Sequence, residues 1–198
     1  MVWLLVSISR DRPGLLNDIT GIIRSHNMNI RNIVGNNYAI LIEVEGKADT
    51  RLMNELGNVD GVNTVNSTEL PITLLGFVKE DFMKAVLYYV MERDPELLER
   101  LGYEYGKELM RHLLDSVVDA RDAIYTSLRI LTALGGVLVL VDMRFAQGGI
   151  TVSITEAFDE DVGMPMTRGI IKGLFETTGA RHSIKIERRD TQSIITVT

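Results

Sequence analysis

The sequence predicts an α+β protein in two parts, a βαββαβ unit followed by a helical block and then ββαββ. Three observations support this fold class. Short β-prone segments alternate with amphipathic helical segments over residues 1–72. The character changes to helical from residue 77, and four β-prone segments flank one further helix in the last third of the chain. The predicted domains are therefore 1–72 and 77–198, with 73–76 as the linker.

The elements of the first part follow from apolar spacing and turn residues. Gly35-Asn36-Asn37 is typical of a hairpin turn, because these residues favour positive φ. Asp49 or Thr50 supplies a cap for the second helix, and Gly57 ends that helix. The predicted order is a strand over 2–8, a helix over 15–27, strands over 28–34 and 38–44, a helix ending at 57, and a strand over 61–67.

The second part begins with three helical segments. Pro95 suits the first turn of the second of these helices, with Asp94 as its cap. Their apolar positions are Phe82, Val86, Tyr89 and Val90, then Leu98, Leu101, Tyr105, Leu109 and Leu113, then Ile124, Leu128, Leu131 and Leu134. The remaining elements are strands over 137–144 and 150–158, an acidic loop over 159–164, a helix over 165–178, and strands over 180–189 and 193–198.

Composition excludes several classes of protein. The chain has no cysteine, which excludes disulfides, thiolate metal sites and a cysteine nucleophile. The net charge of -6 disfavours direct nucleic-acid binding, which needs a basic patch or stripe. No apolar run approaches the ~20 residues that a membrane helix requires. The N-terminus carries no export signal, so we expect a cytoplasmic protein without membrane association.

The stretch around Pro13-Gly14 predicts a turn onto a helix N-terminus. Pro13 fixes φ, and Gly14 lets the backbone approach a neighbour closely. The first N–H groups of the helix that begins at Leu15 have no partner within the helix, and together with the helix dipole they suit a carboxylate. Asp11 or Asn17 supplies a partner for an amino group. The alternative is that this turn has a purely structural role.

The same stretch, Asp11 to Ile19, resembles the D-x-P-G-L-L-x-x-I signature of ACT domains, the amino-acid-sensing regulatory modules. The resemblance covers residues 1–72 and implies a ferredoxin-like fold. It also implies a homodimer in which an amino acid lies between this loop and the second strand of a partner domain. The candidate ligand-binding residues are Asp11, Arg12, Gly14, Leu15, Leu16, Asn17, Asn29 and Ile30.

Residues 77–198 resemble the 4-vinyl reductase domain, a presumed small-molecule-binding module. The matching features are Gly102-x-x-x-Gly106-x-x-Leu109, Leu134-Gly135-Gly136 before a strand pair, Gly169-x-x-x-Gly173 with Gly179, and Glu187 on a strand. Many members carry cysteines thought to hold a metal before the glycine helix and in the last hairpin. This chain has Met164-Pro165-Met166 and Asp190-Thr191-Gln192 there, so a zinc site of that kind is ruled out.

Several clusters have both a structural and a functional interpretation. The glycine pairs 102/106 and 169/173 favour close packing of helices, and the alternative is space for a ligand or a second subunit. Asp115, Asp119, Asp122 and His112 favour a solvated face over a magnesium site. The acidic residues from Glu156 to Asp161 favour a solvated loop or a partner contact over calcium. The histidines, His26, His112 and His182, favour surface or structural roles.

These features together predict a non-catalytic, small-molecule-sensing regulatory protein that needs no cofactor or metal. Catalytic motifs such as a P-loop, a nucleophile elbow or a dinucleotide fingerprint do not occur. The first part would bind an amino acid or similar anion, and the second part a second ligand or a protein partner. One alternative is a transcription co-regulator that acts through a partner. Another is an ACT-regulated enzyme of amino-acid metabolism with a helical catalytic domain, using Arg93, Arg100, Lys107, Arg111, Arg121 and Arg129.

Overall fold

The protein, in a computed structural model, has a mixed α+β fold. The structure describes residues 2–69, 87–115, 119–135, 137–146, 149–156, 160–179, 183–189 and 191–198. These residues form six helices and two four-stranded antiparallel sheets. The predicted linker 73–76, the apolar positions Phe82 and Val86, and His182 lie outside the described residues.

The first sheet contains the N-terminal strands in the order β2-β3-β1-β4. Its elements are β1 (Val2–Ile8), α1 (Leu15–Ser25), β2 (Ile30–Gly35), β3 (Ala39–Val44), α2 (Thr50–Gly57) and β4 (Val62–Thr68). Strand β3 pairs antiparallel with both β1 and β2, so β1 and β2 run in the same direction with β3 between them. The elements occur in the predicted order, and their ends differ by a few residues.

The core of the first unit lies between this sheet and the two helices. Every second residue of β1 points to the same face of the sheet, and these residues pack against apolar residues of α1 and α2. The buried cluster consists of Val2, Leu4, Val6, Ile8, Leu15, Ile19, Ile23, Ile40, Ile42, Val44, Leu52 and Leu56. Trp3, Leu5 and Ser7, on the other face of β1, are buried as well.

The second sheet has the order β5-β6-β8-β7. The elements of this region are α3 (Tyr88–Arg93), α4 (Pro95–Leu114), α5 (Ala120–Leu134), β5 (Leu138–Ala146), β6 (Gly149–Glu156), α6 (Glu160–Glu176), β7 (Ile184–Arg189) and β8 (Gln192–Val197). Contacts divide the chain into two compact units. The first is Met1–Ile72 with Thr132–Gly135, and the second is Thr73–Leu131 with Gly136–Thr198.

Two sequence expectations for the second unit are wrong. Helix α6 begins at Glu160, so most of the stretch predicted as an acidic loop is helical and Pro165 lies inside the helix. Acidic residues favour a helix N-terminus as well as a loop, and the pattern does not separate the two. The buried face of α4 is also rotated from the leucine stripe, although Leu98 and Leu113 of that stripe are buried. Leu101 is 48% exposed and Tyr105 is 41% exposed, whereas Gly102 and Gly106 are buried.

The rotation of α4 follows from its contact with α6. A Cβ atom at Gly102 would overlap the carbonyl oxygen of Met166, and one at Gly173 would overlap that of Tyr103. Gly106 and Gly169 meet backbone atoms of the other helix in the same way. Residues further along α4 contact residues further along α6, so the two helices run parallel, and their backbones touch. Close packing, the favoured interpretation of both glycine pairs, is confirmed.

Candidate functional site

The loop after β1 is held firmly against the turn between α2 and β4. The backbone N–H groups of Ser9 and Arg10 donate to the Gly61 carbonyl at 2.9 and 3.2 Å. The Arg10 guanidinium also pairs with Asp60 at 2.6 Å. Gly61 has φ 96, and a side chain there would overlap the carbonyl oxygen of Arg10. Glycine is therefore required where the two segments meet, and this contact positions the loop that leads into α1.

Gly14 turns the chain onto α1 in the left-handed conformation, with φ 87. Its carbonyl accepts the backbone N–H of Asp18 at 3.0 Å. The N–H groups of Leu16 and Asn17 find no acceptor among the described residues. The turn thus leaves two donors at the helix N-terminus, as the sequence predicts.

Arg12 and Leu15, two other predicted residues of this loop, have partners within the protein. The Arg12 guanidinium pairs with Asp18 at 2.6 Å and donates from Nε to the carbonyl of Asp60 at 3.1 Å. The Leu15 side chain is buried in the core and its backbone N–H donates to the Arg12 carbonyl at 3.2 Å, whereas Leu16 is 45% exposed. Arg12 therefore has its own carboxylate partner in this structure.

A cleft of about 280 Å³ lies along the exposed side of α1. Helix α1 and the start of β2 form its walls. Its lining residues are Asn17, Thr20, Gly21, Arg24, Met28, Asn29 and Ile30. The helix positions are spaced by three or four residues, so they share one face of α1. Gly21 leaves that face open, because a Cβ atom there would have nothing within 4 Å.

The polar groups that line this cleft are one guanidinium, two amides and one hydroxyl. The exposed Arg24 guanidinium lines the cleft and pairs with no carboxylate of the described residues, so its fork-shaped set of donors is open. The Thr20 hydroxyl donates to the Asn17 carbonyl at 3.2 Å. Met28 and Ile30 supply the apolar wall. The cleft therefore combines one cation, amide and hydroxyl groups, and an apolar surface.

Glu45 adds a carboxylate beside the cleft residue Asn29. Its side chain accepts hydrogen bonds from Asn29 Nδ2 at 3.0 Å and from Arg31 Nε at 2.7 Å. These two bonds, that of Asn29 first, lower the pKa of Glu45 below the ordinary value for a glutamate. Glu45 is thus held as an anion, and its charge is balanced by the Arg31 guanidinium at 2.7 Å.

The structure brings together some of the predicted ligand-binding residues and not others. Asn17, Asn29 and Ile30 line the cleft, while the remaining five, from Asp11 to Leu16, are not among its lining residues. Sequence reasoning missed Thr20, Gly21, Arg24 and Met28. The helical spacing from Asn17 through Gly21 to Arg24 was the signal that could have found them.

A larger groove of about 880 Å³ lies in the second unit. It is lined by Glu96, Leu97, Glu99, Arg100, Leu101, Tyr103, Glu104 and Lys172. Glu99 on α4 pairs with Lys172 and, at 3.6 Å, with Arg168, both on α6. The groove therefore has an apolar strip with charges of both signs at its rim.

The residues named for a helical catalytic domain occupy different environments. Arg100 pairs with Asp94 at 2.9 Å, Lys107 with Glu104 at 3.3 Å, and Arg111 with Glu108. These cations are partly or largely exposed and are neutralised by acids next to them. Arg129, by contrast, is 8% exposed. Arg129 is therefore buried, whereas the paired cations are in contact with solvent.

The described part of the chain has neither a cluster of metal-ligating side chains nor a membrane-spanning helix. It contains no group of three or more histidine, aspartate or glutamate side chains close enough to hold a metal ion. Among the same residues, no helix is both long enough and apolar enough to cross a membrane.

Comparison with known proteins finds similarity among solved structures. No protein-family model matches the chain, and no curated protein matches its sequence. A solved structure of the phenol-responsive sensory domain of the transcription activator PoxR, with phenol, aligns with a TM-score of 0.47 and 11% identity. The alignment covers 94% of this chain and 91% of that one. The resemblances to ACT and 4-vinyl reductase domains remain predictions.

Proposed function

We propose that this chain is a non-catalytic, small-molecule-sensing regulatory protein. Its N-terminal unit is an ACT-like domain that binds an amino acid or a similar anion at a dimer interface. Its second unit, resembling a 4-vinyl reductase domain, binds a second ligand or a protein partner. The observation that carries the proposal is the α1–β2 cleft, where Arg24 has no carboxylate partner among the described residues.

The sheet of the first unit supports an ACT-like assignment. The strand order β2-β3-β1-β4, with β3 between two strands of the same direction, is consistent with the split β-α-β order expected of a ferredoxin-like fold. The turn at Gly14 supports it as well, because the left-handed conformation explains the glycine of the D-x-P-G signature.

The position of the cleft supports a ligand at a dimer interface. Ile30 belongs to both the cleft and β2, and β2 is an edge strand of the first sheet. An exposed edge offers unpaired backbone groups to a second copy of the chain. A ligand in the cleft would then lie beside the interface, and its binding would favour the dimer by mass action.

The test is a thermal-shift screen with the twenty amino acids on three proteins, the wild type, Gly21→Asp and Gly57→Asp. Both substitutions place a carboxylate on a helix where a Cβ atom meets nothing within 4 Å, but only Gly21 lines the cleft. We expect one amino acid to stabilise the wild type and Gly57→Asp but not Gly21→Asp. The effect at a hundredfold excess over Kd is about 2.7 kcal/mol.

Two outcomes contradict the proposal. If none of the amino acids raises the Tm of the wild type, the N-terminal unit is not an amino-acid sensor. If Gly21→Asp keeps the shift that the wild type shows, the amino acid binds outside this cleft.

A further inference from the structure

Arg129 is a buried cation in the second unit. It lies on α5 and is 8% exposed. Among the buried residues that the structure describes, it carries the one ionised side chain, and the others with polar groups are serines and threonines. Burial of a charge is costly unless a counter-charge and hydrogen bonds compensate. The contacts of this guanidinium therefore decide whether its charge is compensated.

The observed partners of Arg129 are all neutral. Nε donates to the Tyr125 hydroxyl at 3.0 Å, and the guanidinium carbon lies 5.1 Å from the centre of the Tyr125 ring. Nη1 donates to the Leu140 carbonyl at 3.4 Å. Nη2 has no acceptor, and no carboxylate pairs with the guanidinium, among the described residues. The charge is thus hydrogen-bonded in part and not neutralised.

The strand that contacts Arg129 is irregular at the point of contact. Strand β5 lies at the edge of the second sheet, and its register with β6 shifts between Leu140 and Asp142. Such bulges leave an extra residue unpaired and often occur beside functional sites, where they redirect the chain. The guanidinium is therefore held next to an interrupted stretch of an edge strand.

We propose that Arg129 binds the anionic group of a ligand in the second unit, and that this ligand is a monocarboxylate on an apolar body. The inference rests on the proposed function, because it names the chemistry of the second ligand. A planar guanidinium matches a carboxylate through two parallel hydrogen bonds. Leu128 and Ile130 flank Arg129 along α5, Leu138 lies two residues before Leu140 on β5, and all three are buried and apolar. A dianion such as phosphate would cost more than a monoanion to remove from water.

The first measurement is thermal unfolding without added anion, for the wild type, Arg129→Met and Arg121→Met. Arg121 lies on the same helix but is exposed, and it is the matched control. A binding residue that lacks its anion leaves an uncompensated charge, so we expect Arg129→Met to unfold at the same or a higher temperature than the wild type. A Tm for Arg129→Met several degrees below those of the other two proteins would overturn the proposal, because Arg129 would then be a structural residue.

The second measurement is a titration of the same proteins with benzoate and with inorganic phosphate. We expect benzoate to raise the Tm of the wild type and of Arg121→Met, and not that of Arg129→Met. Three outcomes overturn the proposal: no benzoate shift in the wild type, a shift that Arg129→Met keeps, or a shift with phosphate in place of benzoate. Gly21→Asp separates the two proposals, since it should lose the amino-acid shift and keep the benzoate shift.

Discussion

Single side chains set the start of two helices. The Asp49 carboxylate accepts the N–H of Leu52 at 2.8 Å, and that of Asp94 accepts the N–H of Leu97 at 3.1 Å. Each bond satisfies one donor that a helix N-terminus otherwise leaves to solvent. The sequence predicted Asp94 as a cap and gave Asp49 as one of two candidates with Thr50, because a cap depends only on residues three positions apart.

A single carboxylate also gives the first unit a pH dependence. Glu55 accepts hydrogen bonds from His26 and Arg51, both at 2.9 Å, and these bonds, that of His26 first, lower its pKa below the ordinary value of 4.5. A carboxyl group whose pKa is lowered by folding stabilises the fold at pH values above its unfolded pKa. The stabilisation is lost as the pH falls through the folded pKa.

We therefore expect the difference in unfolding free energy between the wild type and Glu55→Gln to shrink below about pH 4.5, the ordinary value. Urea unfolding at a series of pH values from about 6 to 3 measures that difference. Asp11→Asn, which removes an exposed carboxylate with no hydrogen bond among the described residues, is the control. An equal pH dependence in the wild type and Glu55→Gln would show that these bonds do not contribute.

At the level of elements, the second unit depends on the contact between α4 and α6. Four glycines let the two backbones touch, and dispersion and weak Cα–H···O contacts replace the packing of side chains. Each glycine costs about 1 kcal/mol of helix propensity relative to alanine. Close packing must therefore return more stability than the four glycines remove.

Gly102→Ala tests this contact. Its Cβ atom would overlap the Met166 carbonyl, which is backbone and cannot rotate away, so we expect a loss of about 1–3 kcal/mol in unfolding free energy. The same change at Gly21, where the Cβ atom has free space, should stabilise the protein by about 0.5–1 kcal/mol. Urea denaturation followed by circular dichroism compares the two variants. Stabilisation by Gly102→Ala would mean that α4 and α6 lie further apart.

At the level of the whole molecule, the two edges of the first sheet differ in character. Strand β2 exposes Ile33 at 41%, opposite the buried Ile42 of β3. Strand β4, at the other edge, has asparagine, threonine and serine among its residues. An apolar residue on an exposed edge favours pairing with another chain. The proposed homodimer therefore uses β2.

Ile33→Lys should weaken this dimer. A lysine on an edge strand opposes pairing because it places a solvated charge between the two copies. We expect analytical ultracentrifugation to find a higher dissociation constant for Ile33→Lys than for the wild type. Asn63→Lys, an exposed change on β4, should leave the association unchanged. A wild-type monomer, or dissociation caused by Asn63→Lys instead, would contradict the use of β2.

The sequence by itself determined the order of the elements, the cap at Asp94 and the turn at Gly14, and it narrowed the other cap to Asp49 or Thr50. These features depend on apolar periodicity and on neighbours within a few residues, which a chain carries without its fold. It also placed Asn17, Asn29 and Ile30 among the candidate ligand residues. Local spacing did not reveal that α6 begins before Pro165, because acidic residues suit both a loop and a helix start.

Only the tertiary structure decided which face each helix turns to its neighbours. That choice exposes Leu101 and Tyr105, buries Gly102, and brings Arg24 into one cleft with the start of β2. It also buries Arg129 beside Tyr125. The sequence alone did not distinguish Arg129 from the other five basic residues named for a helical catalytic domain. These outcomes depend on contacts between residues far apart in the chain, and the free energy of packing those contacts outweighs local preference.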